Sequence, residues 1–232
     1  MKIFIDTADV EQIRKFLNWG ICDGVTTNPS INLKCGVTTW DQMRDCSKAV
    51  ADLIAPRPLS VEVVADDLDE MLRQAREYVT WAENIAVKIT ITTSQGASCL
   101  PVIYALYSEG VDVNVTAMMT LNQLVLAAKA GGRYLSLFGG RIDDEGNDAY
   151  EVIRASREWL DVNGEACPND PEIIVGSTRT TKNVQDWIEA GAHIMTVTPD
   201  VIDKMVVNAR TKETVAQFLA DGEKALASIK GG

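Results

Sequence analysis

Asn84-Ile85-Ala86-Val87-Lys88-Ile89-Thr90 is a short apolar run carrying a single lysine at its heart. Apart from that lysine it reads as a buried β-strand. An ammonium group costs several kcal/mol to desolvate, so a lysine facing into such a strand is paired, deprotonated or functional. Burial favours the neutral amine, and a neutral amine is what attacks a carbonyl to form a Schiff base. The competing reading is a strand-end lysine whose ammonium snorkels to solvent. The surrounding chain decides between them.

Outward from this strand, helical spacing occupies residues 66–81 on one side and 95–108 on the other. Toward the N-terminus come a strand at 59–64, a helix at 39–54 punctuated by Pro56 and Pro58, and the turn signal Asn28-Pro29-Ser30. A strand at 23–27 precedes that turn. It follows a helix at 9–19, with Val10, Ile13, Phe16 and Leu17 on one side, and a first strand at 2–6. Toward the C-terminus the spacing predicts strands at 111–115, 134–138, 172–176 and 194–197. Helices are predicted at 121–130, 149–161 and 181–190, with a polar loop at 141–147. A last helical region covers 200–229, with a break near Ala209-Arg210-Thr211. Eight strand-then-helix units without a composition shift predict an α/β fold, a single-domain (β/α)8 TIM barrel over residues 1–232. An open nucleotide-binding sheet would need a Gly-rich loop after the first strand, where Asp6-Thr7-Ala8-Asp9 stands instead.

Composition narrows the chemistry further. A net charge of −11 without a basic cluster argues against nucleic acid or an anionic membrane as partner. No apolar run approaches the about 18 residues of a membrane span, and Asp6 arrives too early for a signal peptide. The five cysteines are scattered, without C-x-x-C, as expected of reduced thiols in a cytoplasmic protein. His193 is the only histidine, which excludes a multi-His metal site and disfavours a Ser-His-Asp triad.

In such a barrel, catalytic groups collect where strands end. Those positions are Asp6, Thr26 to Asn28, Glu62, Lys88, Thr116, Ser136, Arg141, Ser177 with Arg179, and Thr198. Glu62 within an apolar strand is as anomalous as Lys88, and a structural ion pair is the plain alternative. Charges converging on one rim from strands one, three, four and seven favour a site. Arg141 and Arg179, with Ser177 beside the second, have the chemistry of a phosphate monoester site.

Asp6-Thr7-Ala8, Gly24-Val25-Thr26-Thr27-Asn28-Pro29, Val61-Glu62-Val63, Val87-Lys88-Ile89, Asn114-Val115-Thr116, Phe138-Gly139-Gly140-Arg141-Ile142-Asp143 and Ser177-Thr178-Arg179 together resemble the transaldolase family. The likeness is to its short-chain branch, shared with the fructose-6-phosphate aldolases, and spans residues 2–199. The resemblance implies a class I Schiff-base mechanism without cofactor or metal, acting on sugar phosphates. It assigns Lys88 as the Schiff-base lysine and Asp6 as the base at the C4 hydroxyl. Glu62 and Thr116 would shuttle protons through a water. Thr26, Asn28, Ser136 and Phe138 fall in the substrate site, Asn28 and Ser136 holding the dihydroxyacetone hydroxyls. Arg141, Arg179 and Ser177 would hold phosphate. Relatives in this branch also imply a homo-oligomer, a pentamer or decamer. Glu62 stands where the aldolases carry Gln, and Phe138 where they carry Tyr; both favour transfer over release of free dihydroxyacetone. The chain departs from the family pattern at Ala117-Met118-Met119-Thr120, Leu137, Gly139, Thr90-Ile91-Thr92-Thr93 and Thr178. Alternatives are therefore a fructose-6-phosphate aldolase, a transaldolase specialised for an unusual sugar, or a non-catalytic barrel.

Other residues read as structural. His193 precedes strand eight and so falls on the stability face. Cys46 and Cys99, on predicted helices, read as small buried hydrophobes. Met118 and Met119 suit core or pocket, and the five tryptophans suit helix packing. Asp143-Asp144-Glu145 reads as a solvated loop rather than a metal site.

Overall fold

A computed structural model describes residues 1–230. Eight parallel strands close into a barrel in sequence order. They are β1 (Lys2–Asp6), β2 (Gly24–Thr26), β3 (Leu59–Glu62), β4 (Ile85–Thr90), β5 (Val113–Met118), β6 (Tyr134–Phe138), β7 (Glu172–Gly176) and β8 (Ile194–Val197). Helices α1 (Val10–Asn18), α3 (Trp40–Ile54), α4 (Leu68–Tyr78), α5 (Leu100–Ser108), α6 (Leu121–Lys129), α8 (Ala149–Asn163), α9 (Thr181–Glu189) and α10 (Pro199–Val206) accompany the strands. Two short helices, α2 (Pro29–Lys34) and α7 (Gly139–Asp144), occupy the rim, and α11 (Ala209–Lys230) ends the chain. This is the (β/α)8 barrel the alternation predicts.

The helix starts follow local chemistry. Asp9, Thr39, Asp67, Thr120, Asp148 and Thr180 each accept a backbone N–H at a helix N-terminus. Between barrel and helices lies the main core, in which Ile13 and Phe16 of α1 are wholly buried, each such side chain stabilising by about 1.5–3 kcal/mol. A smaller cluster, Phe4, Ala86, Tyr134, Ile174 and Ile194, fills the lower barrel interior.

Several boundaries differ from expectation. The turn at Asn28-Pro29-Ser30 opens α2, because Asn28 Oδ1 accepts from the Ile31 N–H and Pro29 suits the first helical turn. The polar loop at 141–147 is largely α7. The fifth helix starts at Leu100 rather than near Gln95, since Gly96 (φ +81°) turns the chain and Thr92 bridges Ser98. Cys99 consequently stands just before that helix, outside it and without a capping bond, and its buried Sγ lies 3.8 Å from Met71 Sδ. β5 extends to Met118, passing through a register shift at Ala117, whose φ is +60°. The break expected near 209–211 falls at Val207-Asn208.

His193 lies at the N-terminal face, where its Nδ1 accepts the Ile173 N–H at 3.0 Å. Met118 is core, and Trp40, Tyr78 and Trp81 form one aromatic cluster. Among the described residues no helix is long and apolar enough to cross a membrane.

Candidate active site

Lys88 points into the barrel and is 4% exposed. The β3–β4 register sets Glu62 directly beside it, and their Nζ and Oε2 atoms lie 3.1 Å apart. The same ammonium donates to the Thr27 carbonyl at 3.1 Å. The two charges that were anomalous in the sequence therefore partner one another, offsetting part of the desolvation each would suffer alone.

Asp6, at the end of β1, is the third member. Its Oδ1 accepts from Thr26 Oγ1 at 2.6 Å, and Thr26 is in turn bonded to Thr196. Burial pushes the Asp6 carboxyl above the usual range; the Lys88 charge and the Thr26 hydroxyl pull it back, while Glu62 adds to the rise. A single buried ammonium thus faces two carboxylates, and Asp6 holds a proton more readily than an ordinary aspartate.

These groups line a cavity of about 450 Å³ at the C-terminal end of the strands. Thr26, Asn28, Ser136, Phe138, Arg141 and Ser177 line it as well. Asn28 spends its Oδ1 on capping α2, which leaves the amide nitrogen as its free donor. Thr116, level with Thr90 on the neighbouring strand, is wholly buried and does not line the cavity. Its Oγ1 and Asn114 Oδ1 are buried without a partner among the described residues, while Asn114 Nδ2 donates to Ser60 Oγ at 3.0 Å. Buried polar atoms are normally satisfied, so this pair is open to a group not in the chain.

The two arginines differ. Arg141, carried by α7, lines the cavity with its guanidinium 5.8 Å from the Phe138 ring. Arg179 does not line it; both its terminal nitrogens are bonded to the Asp144 carboxylate on the outer rim. The acidic run after Arg141 is accordingly a partner for Arg179, not just a solvated loop. Ser177 has φ +61°, a strained value for a residue with a side chain, and it presents this serine to the cavity. Gly140 makes the arrangement possible, because a Cβ there would strike the Ser177 carbonyl and Arg179 Nε.

Lys34, Ser30 and Thr196 also line the cavity and were not singled out from the sequence. Lys34 sits in the last turn of α2, which reads only as a turn in the sequence. Thr196 carries a signal that strand alternation offers: it shares an inward face with Ile194 and Thr198. Among the described residues no His, Cys, Asp and Glu side chains gather as a metal site.

The profile of the Transaldolase/Fructose-6-phosphate aldolase family matches residues 3–230. The chain belongs to that family. The "Probable transaldolase" of Methanococcus maripaludis (strain C5) is 41% identical over 224 residues, covering 96% of this chain and 98% of that protein. The "Probable transaldolase" of Alkaliphilus metalliredigens (strain QYMF) is 37% identical over 225 residues, with 96% and 98% covered. A thiamine phosphate pyrophosphorylase structure from Pyrococcus furiosus matches with a TM-score of 0.56 over 85% of each chain, at 14% identity, a likeness of fold alone. Membership of the transaldolase/fructose-6-phosphate aldolase family makes this an enzyme of the aldolase and transaldolase type, with sugar phosphates as its substrate class.

Proposed function

We propose that the protein is a Schiff-base transaldolase that moves a dihydroxyacetone unit from fructose 6-phosphate or sedoheptulose 7-phosphate to an aldose phosphate. The observation that carries the reading is a lysine, 4% exposed, held 3.1 Å from Glu62 in a cavity that also contains Asp6. In this scheme the Lys88 amine adds to the C2 carbonyl of the ketose and water leaves, giving an iminium. Asp6 takes the C4 hydroxyl proton; the C3–C4 electron pair moves into the iminium, leaving an enamine as the aldose phosphate departs. A raised carboxyl pKa makes the Asp6 carboxylate a stronger base for that proton. An acceptor aldehyde then receives the enamine carbon, its new alkoxide takes the proton back from Asp6, and water releases the product.

Glu62 is positioned to relay protons while the carbinolamine forms and loses water, and the unpartnered Thr116 hydroxyl suits a bridging water. Asn28 and Ser136 would hold the hydroxyls of the three-carbon unit, and Arg141 and Ser177 the phosphate. Arg179 would join them once it exchanges Asp144 for phosphate. Glu62 and Phe138 favour transfer, because Phe138 has no hydroxyl with which to protonate the enamine.

The test is cleavage of fructose 6-phosphate, following glyceraldehyde 3-phosphate with and without erythrose 4-phosphate. Turnover that needs the acceptor, with a borohydride-trapped adduct on Lys88, is expected. Turnover without acceptor, with free dihydroxyacetone accumulating, would make the protein an aldolase instead.

A further inference from the structure

Arg141 and Arg179 reach the same stretch of rim from different elements and are bonded differently. Arg141, on α7, lines the cavity around Lys88 and makes no hydrogen bond or ion pair with a described residue. Arg179, in the loop after β7, spends both terminal nitrogens on Asp144, one of them 2.5 Å from Oδ1. Asp144 ends α7 three residues after Arg141, so the two side chains are neighbours on one side of that helix.

The inner edge of Arg179 is already at the cavity wall. A Cβ on Gly140 would strike the Ser177 carbonyl and would stand 2.9 Å from Ser177 Oγ and 3.0 Å from Arg179 Nε. These atoms therefore gather around one point, beside a serine that lines the cavity. The outer edge of the same planar guanidinium is turned to Asp144. Hydrogen bonds from Arg179 hold the Asp144 carboxyl below its ordinary range, and the charges of Arg179 and Arg141 lower it further.

One edge of a guanidinium carries one pair of parallel hydrogen bonds, so Asp144 and a phosphate cannot share it. Both members of the pair are about half exposed, and such a pair is held weakly enough to be exchanged. A phosphate monoester brings more negative charge than a carboxylate and a third acceptor oxygen. On the reading that gives phosphate to Arg141, Ser177 and Arg179, we propose that Asp144 is an internal competitor for phosphate at Arg179. It sets how tightly the site holds an aldose phosphate. The consequence is release: in a transfer reaction one aldose phosphate leaves before another enters, and Asp144 takes the arginine back as the first departs.

Inorganic phosphate titrated calorimetrically into the full chain tests this without turnover, at constant ionic strength and about pH 8, where phosphate is mostly dianionic. Asp144→Asn keeps the side-chain shape and should bind phosphate about three- to tenfold more tightly. That is the gain if Arg179 is free for about a third to a tenth of the time in the native protein. Glu145→Gln removes the same charge one residue on, from a carboxylate not bonded to Arg179, and should change binding by less than about twofold. In an Arg179→Gln background, Asp144→Asn should bring no gain. With fructose 6-phosphate, Asp144→Asn should lower KM by the same factor without raising kcat, because the added binding is uniform.

Equal or weaker phosphate binding by Asp144→Asn would overturn the proposal and make Asp144 a strut for Arg179. So would an equal gain from Glu145→Gln, or a gain that survives Arg179→Gln. Absence of phosphate binding by both the native protein and Asp144→Asn would overturn the phosphate site along with it. Borohydride trapping of dihydroxyacetone on Lys88, a ligand without phosphate, decides the Schiff-base reading separately.

Discussion

At the scale of single residues, the cavity around Lys88 is an electrostatic compromise. Lys88→Met removes the nucleophile and also leaves Glu62 and Asp6 without their shared cation. Turnover should disappear, and urea denaturation near neutral pH should register a loss of about 3–5 kcal/mol, the cost of breaking a buried pair. Asp6→Asn should behave oppositely in stability. The Asp6 carboxyl titrates above its ordinary value of 3.8 because burial penalises the charge more than Lys88 and Thr26 compensate it. A folded-state value raised above the unfolded one gives stability that is fully present below the unfolded pKa and is lost as pH rises through the folded pKa. The Asn variant should therefore melt higher than the wild type at pH 7, the two curves converging as the pH drops below about 4. Its turnover should fall by about 10²–10⁴, as for loss of a general base. A wild type more stable than Asp6→Asn at neutral pH would mean that attraction to Lys88 outweighs burial.

At the scale of elements, the rim depends on how closely α7 approaches the end of β7. Gly140→Ala puts a methyl group against the Ser177 carbonyl, a contact relieved only by moving backbone. An overpacking cost of about 1–3 kcal/mol is expected, together with a raised KM for phosphorylated substrates and a smaller change in kcat. Equal KM values would separate Ser177 and Arg141 from phosphate recognition. At the opposite face, His193 joins the entrances of β7 and β8 through its unprotonated Nδ1. Burial, aided by Arg157, holds its pKa below the ordinary 6.5. A depressed histidine contributes stability that is present above the unfolded pKa and is lost as pH falls through the folded one. The melting temperature should thus decline on acidification below about pH 6.5, and His193→Gln should flatten that limb. An imidazole that titrates by NMR at or above 6.5 would contradict this.

For the whole molecule, the outstanding feature is α11. Its residues Val215, Phe218, Leu219 and Leu226 are exposed, the last three by more than half, with Val206 and Val207 beside them. Val215, Phe218 and Leu219 recur at helical spacing, so they form one stripe rather than scattered surface apolar residues. This stripe supports the expectation of a homo-oligomer, with α11 reaching a second copy. Removal of residues 209–232 should leave a folded barrel by circular dichroism that sediments as a monomer, whereas the complete chain sediments as an assembly. A monomeric complete chain would require another role for the stripe.

The barrel was legible in the sequence because its signal is local: apolar runs of strand length alternate with amphipathic helices, and each is punctuated by Gly, Pro or a capping residue. The paired charges of the candidate site were legible for the same reason, since Lys88 and Glu62 contradict the strands that carry them. The rim helices were not. Pro29–Lys34 and Gly139–Asp144 have six residues each, too short for a periodic pattern to emerge from a turn signal or a polar run. With α2 unread, Lys34 could not be assigned to the cavity. The partner of Arg179 was also hidden, because Asp144 lies 35 positions away and meets it only when α7 folds against the end of β7. Sequence determined which residues are anomalous in their local setting; tertiary structure decided which of them meet, because those distances are set by barrel closure and not by chain proximity.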